Sequence, residues 1–194
     1  MRPLEFDSDA VICLATGSGL TDTAVSVAQQ SDLPCIAVND AYRKAPWADV
    51  QIAFDRKWWI RHFDHGAGNI SRKFTVEDTE CLPVERLNHT GCEGFDPDWP
   101  NIRTGYNTGY GAVHLAIQSG AKKVCLVGYN MSGKHFFGDH PKELYRASPY
   151  KKFIDAFRGI IPAVNARGVE IINCTPGSAL PWFPMMPLER ALSV

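Results

Sequence analysis

Residues 10–30 read Ala10-Val-Ile-Cys-Leu-Ala-Thr-Gly-Ser-Gly-Leu-Thr-Asp-Thr-Ala-Val-Ser-Val-Ala-Gln-Gln30. The run 10–15 is short and apolar on both faces, the pattern of a strand covered from two sides. Two glycines follow at once, at 17 and 19. Then Ala24, Val25, Val27 and Ala28 recur at helical spacing, with Thr21 or Asp22 placed to cap the helix. Strand, glycine turn, helix is the opening unit of a wound parallel sheet.

The unit repeats in kind along the chain. Further strands are expected over 34–38, 49–54, Lys123–Val127 and 169–172. Helices are expected over 21–30, 108–119 and Tyr150–Ala166, the last repeating Phe153, Ile154, Phe157, Ile160, Ile161 and Val164 every three or four residues. This predicts an α/β fold: a three-layer sandwich, Rossmann-like, with a mostly parallel sheet and helices on both faces. The stretch 66–105 breaks the pattern. It is rich in Gly and Pro with one plausible strand, 81–87, and reads as an insertion over the active face. We therefore expect one nucleotide-binding domain, 1–194, interrupted at 66–105. The loop 130–148 has the same irregular character.

Composition narrows the class. The chain has 194 residues, 45% hydrophobic and 21% charged, so it is neither disordered nor collagen-like. Its 20 basic and 21 acidic residues sum to −1, which argues against a main role in non-specific duplex binding. No apolar run approaches the roughly 20 residues that span a bilayer. The start, Met1-Arg-Pro-Leu-Glu-Phe-Asp-Ser-Asp9, has no signal-peptide core, so a cytosolic protein is expected, of a cell or of a virus growing in one. The six cysteines show no C-x-x-C spacing; Cys13, Cys35 and Cys125 lie in strand-like runs as small core residues.

In a wound sheet, ligands bind beyond the carboxyl ends of the strands. The residues there are the candidates. Thr16, Gly17, Ser18 and Gly19 form a turn that lets backbone approach a phosphate; Asp22 breaks the dinucleotide fingerprint, and no P-loop lysine follows. Asn39 and Asp40 close the second strand, and Asp55 the third, followed by Trp58 and Trp59. Asn39 suits a base or ribose, Asp55 a ribose hydroxyl or a metal. Asp40 serves the rim or caps a short helix. Asn107, Thr108 and Gly109 open a helix, a second place for an anion. After the next strand come Gly128-Tyr-Asn-Met-Ser-Gly-Lys-His-Phe-Phe-Gly-Asp-His-Pro141, with His135 and His140 as candidate bases and Lys134 as a counter-charge for a leaving phosphate. A metal on His135, Asp139 and His140 has no recognised spacing. His62 and His65, flanking Asp64, are weaker candidates, and His114 reads as structural. Asn173 and Ser178 after the last strand contact a nucleobase or ribose, or form an Asx/ST turn.

Taken in order, Gly17-Ser18-Gly19, Val38-Asn39, Phe54-Asp55, Asn107-Thr108-Gly109, Gly128-Tyr129-Asn130-Met131 and Asn173-x4-Ser178 resemble a Rossmann-like superfamily. It includes the bacterial CMP-sialic-acid-dependent sialyltransferases and 6-hydroxymethylpterin diphosphokinases, and short phage-encoded relatives are also similar. The resemblance runs from about Val11 to Ser178. It implies a nucleotide held by Gly17, Ser18, Gly19, Asn39, Asn107, Thr108 and Gly109, and a later-loop base matched by His135 or His140. An acidic residue is usual in that superfamily where this chain has Asn130. The function expected is a nucleotide-dependent transferase moving a sugar from a nucleotide-sugar donor to a small-molecule or glycan acceptor lying under 66–105. A diphosphokinase would instead bind Mg·ATP, using Asp40 and Asp55. A non-catalytic nucleotide binder is the third expectation. Trp182 and Phe183 suggest either a self-association surface or a C-terminal tail packed on its own core.

Overall fold

A computed structural model of the chain describes residues 1–80, 82–139, 141 and 148–193. Among these residues there are nine strands and five α-helices. In chain order they are β1 (Ala10–Leu14), α1 (Asp22–Gln30), β2 (Cys35–Val38), β3 (Val50–Ile52), α2 (Arg56–His62), β4 (Arg72–Thr75), β5 (Glu85–Arg86), β6 (Asn88–Gly91), β7 (Asn101–Arg103), α3 (Thr108–Gln118), β8 (Lys123–Val127), α4 (Tyr150–Ala166), β9 (Glu170–Asn173) and α5 (Leu188–Ala191). A 3-10 helix, Asn39–Arg43, follows β2 directly.

Seven strands form one sheet in the order β5-β4-β3-β2-β1-β8-β9. Every neighbouring pair in it is parallel. The chain winds outward from β1 to β5 on one side, then returns through α3 to β8 and β9 on the other. The switch point lies between β1 and β8, which pair over five residues from Ala10–Lys123 to Leu14–Val127. A ligand crevice is expected beyond those two strand ends.

The strands explain the three layers. Val11 and Cys13 of β1, with Ile36, Val50 and Ile52, pack under α3 and α4. Ile12 and Leu14, with Cys35, Ala37, Cys125 and Val127, pack on the opposite face against residues of α1, α2 and α5. Alternate side chains thus leave opposite faces, and both faces are buried, which is why the strands read as continuous apolar runs. No helix among the described residues is long and apolar enough to cross a membrane.

The structure also alters several expectations. The stretch 66–105 is not only an insertion. Its first part adds β4 and β5 to the main sheet, and its second forms the small parallel ladder of β6 and β7. The expected strand 81–87 shortens to Glu85–Arg86, and Cys81 lies outside the described residues. β4 escaped notice because an edge-side strand, Arg-Lys-Phe-Thr, carries charge where a central one carries Val or Ile; Arg72 is held by Glu85 across the ladder at 2.6 Å. The turn 92–98 then drapes over α3. Tyr110 Oη donates to Gly94 O at 2.6 Å, and Gln118 Nε2 donates to Asp96 O and Asn101 O, each at 2.9 Å. His114 Nε2 accepts the Asp96 N–H at 3.0 Å, and burial pushes its pKa down to about 3, so this histidine is structural as expected. Trp182 and Phe183 pack against the core beside α4, with Trp182 Nε1 donating to Ile154 O.

Candidate functional site

The loops beyond the sheet's carboxyl edge enclose a cavity of about 410 Å³, within the usual range for a small-molecule site. Each contributor arrives from a different element. Thr16 and Gly17 follow β1, Asn39 follows β2, and Asp55 with Lys57 and Trp58 follows β3. Tyr106 to Gly109 open α3. Gly128 to Ser132 and His135 follow β8, and Ser148, Tyr150 and Phe153 come from the entry to α4. Of the described residues in the stretch 66–105, only Glu77 reaches this cavity, so those residues cover α3 far more than they cover the site. Three side-chain-bearing residues here have left-handed backbones: Asn39 (φ 46°), Tyr106 (φ 63°) and Met131 (φ 52°). Such conformations cost energy and cluster where a site needs a particular shape.

Thr16, Gly17, Asn39, Asp55, Asn107, Thr108, Gly109, Asn130 and His135 all line this one cavity. Their roles differ from expectation in places. The turn after β1 is a poor phosphate cradle. The Gly17 N–H donates to Gly128 O at 2.9 Å, and the Gly19 N–H donates to Asn130 Oδ1 at 2.8 Å. A Cβ at Gly17 would collide with Asn130 and Gly128 O. The glycine is needed so that this turn can nest against the loop after β8. Ser18 is exposed, and neither it nor Gly19 lines the cavity.

The entry to α3 offers better donors. Asn107 caps the helix by accepting the Tyr110 N–H at 2.9 Å, and its amide donates to Gly105 O at 2.8 Å. Thr108 and Gly109 are the first residues of the helix, where N–H groups have no carbonyl within it, and both line the cavity. Tyr129 Oη, donating to Gly109 O at 3.0 Å, holds that end in place.

Asn173 and Ser178 do not reach the cavity. Asn173 is 1% exposed, and its Oδ1 accepts the Thr175 N–H. Thr175 Oγ1 accepts the Tyr129 N–H at 2.9 Å, and Ser178 Oγ donates to Tyr129 O. Both residues brace the loop after β8 from behind; the Asx/ST-turn alternative is the one the geometry supports.

His135 sits at the cavity with its Nδ1 2.9 Å from Thr16 Oγ1 and its ring stacked on Phe137, centroids 5.0 Å apart and planes 1° from parallel. The chain around it forms an antiparallel bridge to Gly17. Its partner candidate, His140, lies outside the described residues. Lys134 does not line the cavity: it is exposed and pairs with Asp139 at 3.0 Å. Among the described residues the Lys or Arg that does line it is Lys57, which the sequence reading passed over.

The acidic pair is also different. Asp40 is buried at 3% exposure, bonded by Trp58 Nε1 at 2.9 Å and facing Arg43 at 3.6 Å, so it is committed behind the rim. Asp55 shares the cavity with Glu77 instead. Glu77 Oε2 accepts the Arg56 N–H at 2.7 Å, while Asp55, at the N-cap of α2, makes no capping bond. Glu77 follows β4 just as Asp55 follows β3, so recognising β4 as a strand would have found it. Trp59 is core, donating to Ala53 O at 2.9 Å. Among the described residues there is no group of three or more His, Cys, Asp or Glu placed to hold a metal ion.

No protein-family model matches the chain, and no curated protein does. Among solved structures it is similar to the MAf glycosyltransferase from Magnetospirillum magneticum AMB-1, with a TM-score of 0.63 and 12% identity. That match covers 99% of this chain and 35% of the other, so the chain spans about a third of its neighbour's length. What the two share is the architecture, and this protein has a glycosyltransferase-like three-layer α/β fold built on a seven-stranded parallel sheet.

Proposed function

We propose that the chain is a nucleotide-dependent transferase that moves a sugar from a nucleotide-sugar donor to an acceptor hydroxyl. One observation carries this reading: the ends of β1, β2, β3 and β8 and the start of α3 meet in a single cavity that presents an imidazole beside helix N–H groups. The fold shared with a glycosyltransferase supports it.

In this reading the donor phosphate lies against the start of α3, with Lys57 on the wall of the same cavity. Asn39 and Asp55 address the ribose or base. His135 takes the proton from the acceptor hydroxyl as that oxygen bonds to the anomeric carbon. The bond between that carbon and the phosphate oxygen breaks, and the departing nucleotide keeps the electron pair. Charge on it is met by the α3 N–H groups and Lys57. Thr16 sets the imidazole: with Nδ1–H donating to its hydroxyl, Nε2 becomes the basic nitrogen.

A second reading, ATP-dependent phosphoryl or diphosphoryl transfer of the pterin diphosphokinase type, is favoured by one fact. Asp55 and Glu77 share the cavity, and two carboxylates can hold a divalent cation together with substrate phosphates. The test begins with thermal shift against CMP, UDP, GDP, ATP and their sugar conjugates, followed by an assay for hydrolysis or transfer of any hit. Turnover of a nucleotide sugar that His135→Ala abolishes supports the first reading. Turnover of ATP that is lost in EDTA supports the second. Tight binding without turnover identifies a non-catalytic binder, and no stabilisation by any nucleotide removes all three.

A further inference from the structure

A second depression, of about 870 Å³, opens beside α2. Tyr42 and Arg43, from the 3-10 helix after β2, form one wall. Arg61, His62 and His65, from the end of α2 and just beyond, form the other. Among the described residues none that lines it is acidic, in a chain whose charges otherwise nearly cancel; the nearby buried carboxylate is Asp40, 3.6 Å from Arg43 and 4.0 Å from His62 Nε2. The sequence of α2 is the cause: Arg56-Lys-Trp-Trp-Ile-Arg-His62 contains no acid, and its two tryptophans and His62 anchor it in the core while Arg61 remains outside.

These groups are held in place. The buried His62 has its Nδ1 3.0 Å from Tyr42 Oη and stacks on Trp58 at 4.6 Å with planes 16° apart. Arg43 is steadied on its inner side by the buried Asp40 and by the ring of Phe137, 5.6 Å from its guanidinium carbon. A cation already fixed by its neighbours loses less entropy when an anion arrives.

We propose that this depression is a second binding site, for a phosphate-type oxyanion, either free or as the end group of a small phosphorylated molecule. Two guanidiniums and the exposed imidazole of His65 surround the space with donors suited to several oxygens of one group, against a fixed wall made by the buried His62. The depression is large enough for more than the oxyanion itself. It shares a wall with the first cavity: Trp58 lines that cavity and stacks on His62, and Phe137, touched by Arg43, stacks on His135. The proposal does not depend on the nucleotide reading of the first cavity.

The test is a titration followed through the histidine ring signals in carbon–proton correlation spectra, using inorganic phosphate and glycerol 3-phosphate at constant ionic strength. The signals of His62 and His65, assigned with His62→Gln and His65→Gln, are expected to move along a saturating curve. Arg43→Gln combined with Arg61→Gln should weaken that binding by roughly tenfold or more. Should the double variant fail to fold, the exposed Arg61→Gln alone carries the same expectation. Tighter binding of the ester identifies a phosphorylated small molecule as the ligand; equal binding identifies free phosphate. Signals that stay still, movement confined to His135, or unchanged saturation in the arginine variants would overturn the proposal.

Discussion

Thr16 and His135 meet across 119 positions of sequence, and the chemistry proposed for the first cavity turns on that contact. Thr16→Val removes the oxygen at Nδ1 while keeping the volume. In the proposed reaction it should lower turnover by about 10–100-fold, by analogy with losses seen when an orienting partner of a histidine is removed. Thr16→Ser should recover most of it, and the pH–rate profile should move in the valine variant and not in the serine one. His135→Ala should cost about 10²–10⁴-fold. A turnover rate unaffected by His135→Ala would take the histidine out of the reaction. A different prediction concerns stability. His114 has a folded pKa of about 3 against an ordinary 6.5, because burial disfavours its charged form. Between those values the unfolded chain binds one more proton. Stability contributed by the neutral ring is therefore complete above pH 6.5 and lost as pH falls toward 3, at up to about 1.4 kcal/mol per pH unit. Urea unfolding between pH 6 and 4 should show a shallower pH slope in His114→Gln than in the wild type.

At the scale of elements, α3 does the most to place the site. Ten of its eleven residues are buried, so it is a core helix whose start is also a wall of the cavity. Gly111 lets it approach the sheet: a Cβ there would strike the Phe54 ring. Gly111→Ala should destabilise the protein by about 1–3 kcal/mol in denaturant unfolding, as overpacking does. Asn107→Ala removes a cap and should cost about 1 kcal/mol. It should also weaken nucleotide binding, since the helix end would fray beside the phosphate; binding undiminished in a folded variant would remove α3 as the phosphate site. The sequence disclosed α3 through its apolar stripe and its Asn-Thr opening. It did not disclose α2, where Trp58 and Trp59 are buried among four basic groups. Nor did it disclose β4, whose charged residues are satisfied by an ion pair from a strand still 13 residues ahead. Local periodicity fails where charge is compensated by distant neighbours.

For the molecule as a whole, a ligand that binds only the folded chain stabilises it in proportion to its occupancy. A nucleotide at a hundred times its dissociation constant should add about 2.7 kcal/mol, or roughly 5–10 °C in melting temperature for a chain of this size. Under the phosphoryl-transfer reading, a combined Asp55→Asn and Glu77→Gln variant should lose magnesium-dependent stabilisation by ATP. Under the sugar-transfer reading it should keep stabilisation by the nucleotide moiety. Thermal shift with and without EDTA separates them.

The sequence by itself determined the three layers and the rim. Short runs apolar on both faces require helices on both sides of a parallel sheet, and parallel winding sends every strand's carboxyl end to one edge. Thr16, Asn39, Asp55, Asn107 and His135 could therefore be placed at a common crevice without coordinates. Only the tertiary structure decided which other rim residues are drawn into packing instead. Gly17 and Gly19 give their N–H groups to the loop after β8, Asn173 and Ser178 brace that loop from behind, and Asp40 turns away to the indole of Trp58. Glu77 and Lys57 reach the cavity in their stead. The physical reason is that a polar group's role depends on which partner lies within about 3 Å, and those partners come from parts of the chain that only folding brings together.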